Sequence, residues 1–212
     1  MKHLYLCSQI HYVTTSIASS LSDQIRQKCV FIDTPLRAKV HNPKDLGWHE
    51  QNIANMKSVG MQLDFYDIAG KSNDDIKRDL AQYQMMYIEG GDPFYLLSVG
   101  AKNNFAEYVR DRVENGMLYL GTSAGTIVAG IDAASAARPG KNPEQYGLIS
   151  TKGYGLVNFV PMPHWGLSEK IELYGNHKLN SSYQEDYPYI FISDDQYIEV
   201  IGDNYKIVDV CK

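Results

Sequence analysis

The sequence predicts an α/β fold: a three-layer αβα arrangement around a mostly parallel central sheet, closed by a C-terminal antiparallel hairpin, in one domain over residues 1–212. Three observations lead there. Short apolar runs alternate with helical stripes five times before residue 130, which is the signature of a parallel sheet covered on both faces. The run MLYLGTSAGTIVAG at 117–130 places a glycine-flanked serine between a buried strand and a helix of small residues. After residue 188, three strand-like runs, Tyr189 to Ile192, Gln196 to Ile201 and Tyr205 to Val210, follow one another on short turns such as Gly202-Asp203-Asn204.

In chain order, His3 to Cys7 reads as a strand, and Val13, Ile17, Leu21 and Ile25 recur every four residues, which makes one helical stripe. Cys29 to Asp33 is the second strand. Pro35, Pro43 and Gly47 mark a loop before a helix near Trp48 to Val59. Met61, Leu63 and Phe65 alternate with Gln62, Asp64 and Tyr66, as in a strand with one wetter face near a sheet edge. Ser72-Asn73-Asp74-Asp75 resembles a capped helix start, with Ile76, Leu80 and Tyr83 as its packed face. Gln84 to Ile88 is the next strand and runs into Glu89-Gly90-Gly91-Asp92-Pro93, where Asp92 can cap a helix begun by Pro93. Phe105, Tyr108, Val109 and Val113 give a helix ended by Asn115-Gly116, and Met117 to Leu120 is a buried strand. Residues 132–155 form a long, weakly periodic loop able to border or cover a site. Leu156 to Val160 reads as strand, Pro161 to Trp165 as a rigid turn, and Leu167, Ile171 and Leu179 as a helix.

Composition narrows the function. With 44% hydrophobic residues the chain can bury a sizeable core. Twenty basic against 25 acidic side chains, with no basic cluster, argue against a nucleic-acid partner. The first apolar run is too short for the core of a signal peptide, and no run approaches a membrane span. Three scattered cysteines, Cys7, Cys29 and Cys211, fit a reducing compartment, so a cytoplasmic location is expected; Cys7 and Cys29, lying in strands, read as buried inert thiols. No His/Cys/carboxylate group has metal-ligand spacing, so no metal or cofactor is expected. Monomer and homodimer are both open, because apolar side chains could serve core or interface.

Gly121-Thr122-Ser123-Ala124-Gly125 fits G-x-S-x-G, a sharp strand-to-helix turn that thrusts the serine hydroxyl out of the sheet edge. The N–H of Ala124 opens the helix and supplies one oxyanion donor; Gly90 and Gly91 are candidates for the second. A serine nucleophile needs a base and a group to orient it. Of His3, His11, His41, His49, His164 and His177, only His164 directly follows a strand in a proline-stiffened loop, at the carboxyl edge where Ser123 sits. Asp194 and Asp195 follow the strand at 189–192, and either could reach an imidazole. The chain order Ser, His, Asp differs from the Ser, Asp, His order of α/β-hydrolases.

IEGGDPFYLL at 88–97, YLGTSAGTIVAG at 119–130, PMPHW at 161–165 and FISDDQYIEV at 191–200 resemble the peptidase E (aspartyl dipeptidase) and cyanophycinase family of serine peptidases. The resemblance implies a class I glutamine amidotransferase-like fold, with Ser123 as nucleophile, His164 as base and an acid that the register places at Asp194, with Asp195 in reserve. That acid is usually glutamate in the family, so Asp194 has an arm shorter by one methylene. The oxyanion hole implied is Ala124 with Gly90 or Gly91. The implied substrate is a small peptide, cleaved after an N-terminal Asp in one branch and at Asp-Arg units of a storage polymer in the other. Arg138, Lys141 and Lys170 are candidates to pair the Asp side chain, and Asp92 to meet the α-amino group. Other amide or ester hydrolysis, and a non-catalytic binding protein on the same fold, are the alternatives.

Overall fold

A computed structural model describes residues 1–26, 28–38 and 46–211; the expected loop positions His41 and Pro43 lie outside the described residues. Seven strands form one sheet: β1 (His3–Cys7), β2 (Cys29–Ile32), β3 (Leu63–Tyr66), β4 (Met85–Ile88), β5 (Leu118–Thr122), β8 (Gln196–Ile201) and β9 (Asn204–Asp209), in the order β3-β2-β4-β5-β1-β8-β9. The first five run parallel, while β8 is antiparallel to β1 and to β9. The alternating strand at 61–66 is the sheet edge, as its pattern requires.

Side-chain alternation sorts the core into two faces. Leu4, Leu6, Val30, Ile32, Met86, Ile88 and Tyr119 point to one face, beneath α4 (Asn73–Leu80), α5 (Pro93–Ala101), α6 (Phe105–Glu114) and α7 (Ala124–Ala129). Tyr5, Cys7, Cys29, Phe31, Met85, Tyr87, Leu118 and Leu120 point to the other, beneath α1 (Ile10–Ser19) and α3 (Gly47–Ser58). A further short helix, α2 (Asp23–Arg26), precedes β2. The helix after β1 thus lies on one face and the helix after β5 on the other. Since β1 and β5 are neighbours, a crevice opens at their carboxyl ends.

The local signals behave as their chemistry dictates. Ser72 and Asp75 form a reciprocal capping box. Asp92 accepts from the N–H groups of Phe94 and Tyr95, with Pro93 at the first position of α5. Gly116, at φ 96, takes the left-handed conformation that ends α6.

Three expectations are corrected. The strand expected at 156–160 lies at Val160–Pro163 (β6). Upstream, the N–H groups of Tyr154, Gly155 and Leu156 donate to carbonyls of Val128, Gly130 and Ala129 at the end of α7, so they are not available to a ladder. The proline turn is therefore partly strand. Val160 N–H bonds Pro188 O at 2.8 Å, so the nitrogens of Pro161 and Pro163 face the open side, where no donor is needed. The strand at 189–192, β7 (Tyr189–Ile192), is not part of the hairpin; it pairs with β6, parallel, in a separate two-stranded sheet, leaving β8 and β9 as the hairpin. Finally, the helix expected from Leu167 begins only after a 3-10 turn at Ser168–Lys170. It runs as α8 (Ile171–Leu173), a π-turn (Tyr174–Lys178) and α9 (Leu179–Ser182). The wider turn tucks both Tyr174 and Lys178 inside.

Candidate active site

Strand register alone brings Ser123, the expected nucleophile, to its expected partners. Cys7 pairs with Thr122 across β1 and β5, so Ser8 and Ser123, one residue beyond each strand, emerge side by side. Tyr197 of antiparallel β8 pairs with Cys7, so the turn just before β8, which carries Asp194, opens on the same rim. Pro163 pairs with Ile192 at the ends of β6 and β7, and the Trp165 N–H bonds Ile192 O at 3.0 Å. His164 and Asp194 are thereby held together.

Ser123 sits at φ 47, ψ −101, a conformation that L residues rarely adopt and that surrounding bonds must enforce. Its N–H donates to Cys7 O at 3.1 Å and its carbonyl accepts from Ile127 N–H at 2.9 Å. Thr126 Oγ1 bonds both Cys7 O and Gly121 O, stitching α7 to β1 and β5. Here the flanking glycines have a concrete reason. A Cβ on Gly121 would stand 2.7 Å from the Gly125 carbonyl carbon, and one on Gly125 would stand 2.2 Å from Ile88 O.

His164 Nε2 lies 3.0 Å from Ser123 Oγ, and its Nδ1 lies 2.9 Å from Asp194 Oδ1. A carboxylate only accepts, so Nδ1 carries the proton and Nε2 is the acceptor for the serine hydroxyl. His164 is itself at φ 67, a strained position fixed by its N–H donating to Ser8 Oγ at 2.8 Å. Desolvation pushes the His164 pKa below the ordinary imidazole value, against the hydrogen bond and charge of Asp194, so the ring is neutral at pH 7. Burial raises the Asp194 pKa, but hydrogen bonds from His164 and Ser8 outweigh it and hold the carboxylate below its usual range. Asp195 turns to Ser193 and does not reach the imidazole.

Ser8 is a site residue the sequence reading missed. It is fully buried, donates its hydroxyl proton to Asp194 Oδ1 and lies 3.1 Å from His164 Nδ1. Its position directly after β1 was the available signal, since every strand end on this rim is a candidate. Replacing Ser8 with Ala removes a hydrogen bond to a charged group, worth about 1.5–3 kcal/mol. We expect kcat to fall about 10- to 100-fold with KM nearly unchanged. Steady-state kinetics check this, and an unchanged kcat would remove Ser8 from the machinery.

The glycine turn after β4 resolves one open alternative. Gly90 N–H donates to Glu89 Oε1 at 2.7 Å and is occupied. The N–H groups of Gly91 and Ala124 meet no protein acceptor among the described residues and remain for an oxyanion. Gly91 has φ 131, and a Cβ there would fall 2.5 Å from Pro35 O, so glycine is required. Glu89, fully buried, also accepts from Asn52, Tyr87 and His49, the last at 2.8 Å from its Oε2. His49, expected away from the site, thus anchors the carboxylate that braces this turn.

Asp92 does not face the substrate space. One oxygen caps α5 and the other accepts from Tyr146 OH at 3.1 Å, so it is not placed to meet an α-amino group. Arg138, Lys141 and Lys170 do line the site. They border a cleft of about 480 Å³ that also holds Ser123, His164 and Asp194 and is lined by Tyr12 and Trp48. Lys178, unnoticed in the sequence, joins them in an adjoining cavity of about 130 Å³ against Ser123 and Ala124. Among the described residues, no group of three or more His, Cys, Asp or Glu side chains could hold a metal ion. Among the described residues, no helix is long and apolar enough to cross a membrane.

This architecture and sequence have known counterparts. A crystal structure of a Listeria monocytogenes EGD-e protein, provisionally named a peptidase E, superposes with a TM-score of 0.84 at 23% identity, covering 99% of this chain and 98% of that one. A peptidase from an acI-B1 actinobacterium gives 0.69 at 16% identity, over 99% and 88% of the two chains. Uncharacterized peptidases of Listeria monocytogenes serovar 1/2a and of Pasteurella multocida are each 24% identical over 165 residues, 78% of this chain and 78% of theirs. The sequence model of peptidase family S51 matches residues 8–208, from the buried serine after the first strand into the last strand of the hairpin, and the chain belongs to that family.

Proposed function

We propose that this protein is a serine peptidase that hydrolyses small peptides after an acidic N-terminal residue such as Asp. The observation that carries the reading is the continuous chain from Ser123 Oγ to His164 Nε2 at 3.0 Å and from His164 Nδ1 to Asp194 Oδ1 at 2.9 Å, opening on a cationic pocket. His164 takes the hydroxyl proton as Ser123 Oγ attacks the carbonyl of the first residue. The oxyanion rests on the N–H groups of Gly91 and Ala124. The amide C–N bond breaks, the leaving amine takes the proton from His164, and water then releases the acyl group by the same route. A side-chain carboxylate on the substrate finds Arg138, Lys141 and Lys170 beside the nucleophile.

A fluorophosphonate probe tests the nucleophile, because an activated serine is labelled stoichiometrically and a binding protein is not. Aspartyl dipeptides against aryl esters test the specificity. Cleavage of esters alone would leave a hydrolase but remove the peptide claim, and labelling with no Asp-peptide turnover would point to another amide, such as the polymer linkage of the cyanophycinase branch.

The base sets a pH signature. His164 must be neutral to accept a proton, and its pKa lies below the ordinary 6.5. On the acid side, activity is therefore lost as pH falls through that lower value, so kcat/KM at pH 6.5 should exceed half of its plateau. A pH profile whose acid limb is centred at or above 6.5 would contradict the buried, neutral imidazole.

A further inference from the structure

The pocket beside the nucleophile carries more positive charge than one carboxylate can neutralise. Arg138, Lys141, Lys170 and Lys178 all line it, on the side of Ser123 and Ala124. Two of the lysines are buried, Lys141 at 8% and Lys178 at 5% exposure, so water does not screen them well. Among the described residues none of the four makes an ion pair. Lys141 Nζ donates to Gly91 O at 2.9 Å, and Lys178 Nζ lies 4.5 Å from the Tyr174 ring centre. No carboxylate among the described residues lines this cavity: Asp92 acts on Arg138 and Lys141 from behind its helix cap, and Glu169 and Asp194 line the adjoining cleft. Desolvation and mutual repulsion push Lys141 and Lys178 down to about 8. Burying cations without counter-charge is costly, and such a cluster lowers its energy by taking an anion.

The number of cations selects the anion. A carboxylate brings one charge and two oxygens. A phosphate monoester brings between one and two negative charges at neutral pH and three strong acceptor oxygens, which matches four cationic side chains around a cavity that no described carboxylate lines. Building on the reading of Ser123 as nucleophile, we propose that this pocket takes a phosphate monoester, so that peptides beginning with phosphoserine are substrates preferred over those beginning with Asp. The phosphate is bound and not transferred. Ser123 attacks the carbonyl of the phosphoseryl residue, the amide C–N bond breaks, the amine leaves with the proton from His164, and the ester to phosphate stays intact.

The test compares phosphoseryl, aspartyl and seryl derivatives of one fluorogenic amine with the full-length protein. It also measures inorganic phosphate as a competitor and as a ligand by thermal shift, with chloride at equal ionic strength as the control. We expect kcat/KM for the phosphoseryl compound to exceed that for the aspartyl one at least tenfold, and phosphate to compete with both. Lys178→Met should cost the phosphoseryl compound at least tenfold more than the aspartyl one and abolish the phosphate shift, whereas Lys178→Arg should keep both. Should Lys178→Met fail to fold, Arg138→Gln serves the same purpose. Turnover of the aspartyl compound at or above the phosphoseryl rate overturns the inference and leaves the peptidase reading standing. Absence of any turnover or serine labelling fails the peptidase reading, while the phosphate shift still decides whether the pocket takes the anion.

Discussion

Ser123→Ala should lose about 10^4-fold or more in kcat while folding normally. A loss of that size corresponds to about 5.5 kcal/mol or more of transition-state stabilisation, since each factor of ten is about 1.4 kcal/mol. The effect is large because no other hydroxyl can substitute. Ser8 Oγ faces His164 Nδ1 and Asp194, on the wrong side of the ring to be deprotonated by Nε2. The fold is spared because the bonds that hold the strained turn are made by the Ser123 backbone, to Cys7 O and from Ile127 N–H, and alanine makes both. Its melting temperature should stay within about 2 °C of the parent, as for substitutions that disturb no packing. Steady-state rates, fluorophosphonate labelling and a thermal melt check the three parts together. Retention of ordinary turnover by this variant would falsify the acyl-enzyme mechanism.

The second large effect is on stability. In Gly125→Ala the new methyl would lie 2.2 Å from Ile88 O and 3.0 Å from Ile88 Cβ, both at the carboxyl end of the interior strand β4. Neither atom belongs to a flexible side-chain end, so α7 must lift off β4. Overpacking of this kind costs about 3 kcal/mol or more. For a chain of this size that lowers the melting temperature by roughly 6–12 °C. Because α7 begins at Ala124, the same shift moves the proposed oxyanion donor and the proposed nucleophile Ser123, so kcat should fall in whatever fraction stays folded. Gly140→Ala is the contrast. Its Cβ meets nothing within 4 Å, and only its φ of 80 is unfavourable, so its loss should be near the usual cost of about 1 kcal/mol for an αL alanine. Equal melting temperatures for the two variants would show that the close approach of α7 to the sheet is not what demands the glycine.

How much of this was written in the chain depends on the range of the interactions concerned. Period-two and period-four patterning, the Ser72 and Asp92 caps and the glycine stops act within a few residues, so the sheet, its edge at β3 and most helices were legible. Ser123 and His164 were legible too, each standing just beyond a strand whose carboxyl end faces the same rim, whereas position left Asp194 and Asp195 open and the family resemblance pointed to Asp194. The errors fell where a residue had two possible partners. Residues 156–160 read as strand, but Ala129 at the end of α7 offers its carbonyl to the N–H groups of Leu156 and Val157 first. Asp92 reads equally well as a cap and as a substrate contact, and only the bonds to Phe94, Tyr95 and Tyr146 show that both its oxygens are spent.

The sequence by itself determined the alternation of strands and helices before residue 130, the two glycines that let a helix touch a strand, and the three rim residues that meet in one hydrogen-bonded chain. Tertiary structure alone decided that Gly91 and not Gly90 is open, that Ser8 holds the imidazole and its acid, and that Lys178 completes a buried cationic pocket. The physical reason is distance along the chain. Ser8 meets its partners across 156 and 186 residues, and no local pattern encodes the register of β1 on β5 and β8 that brings them into contact.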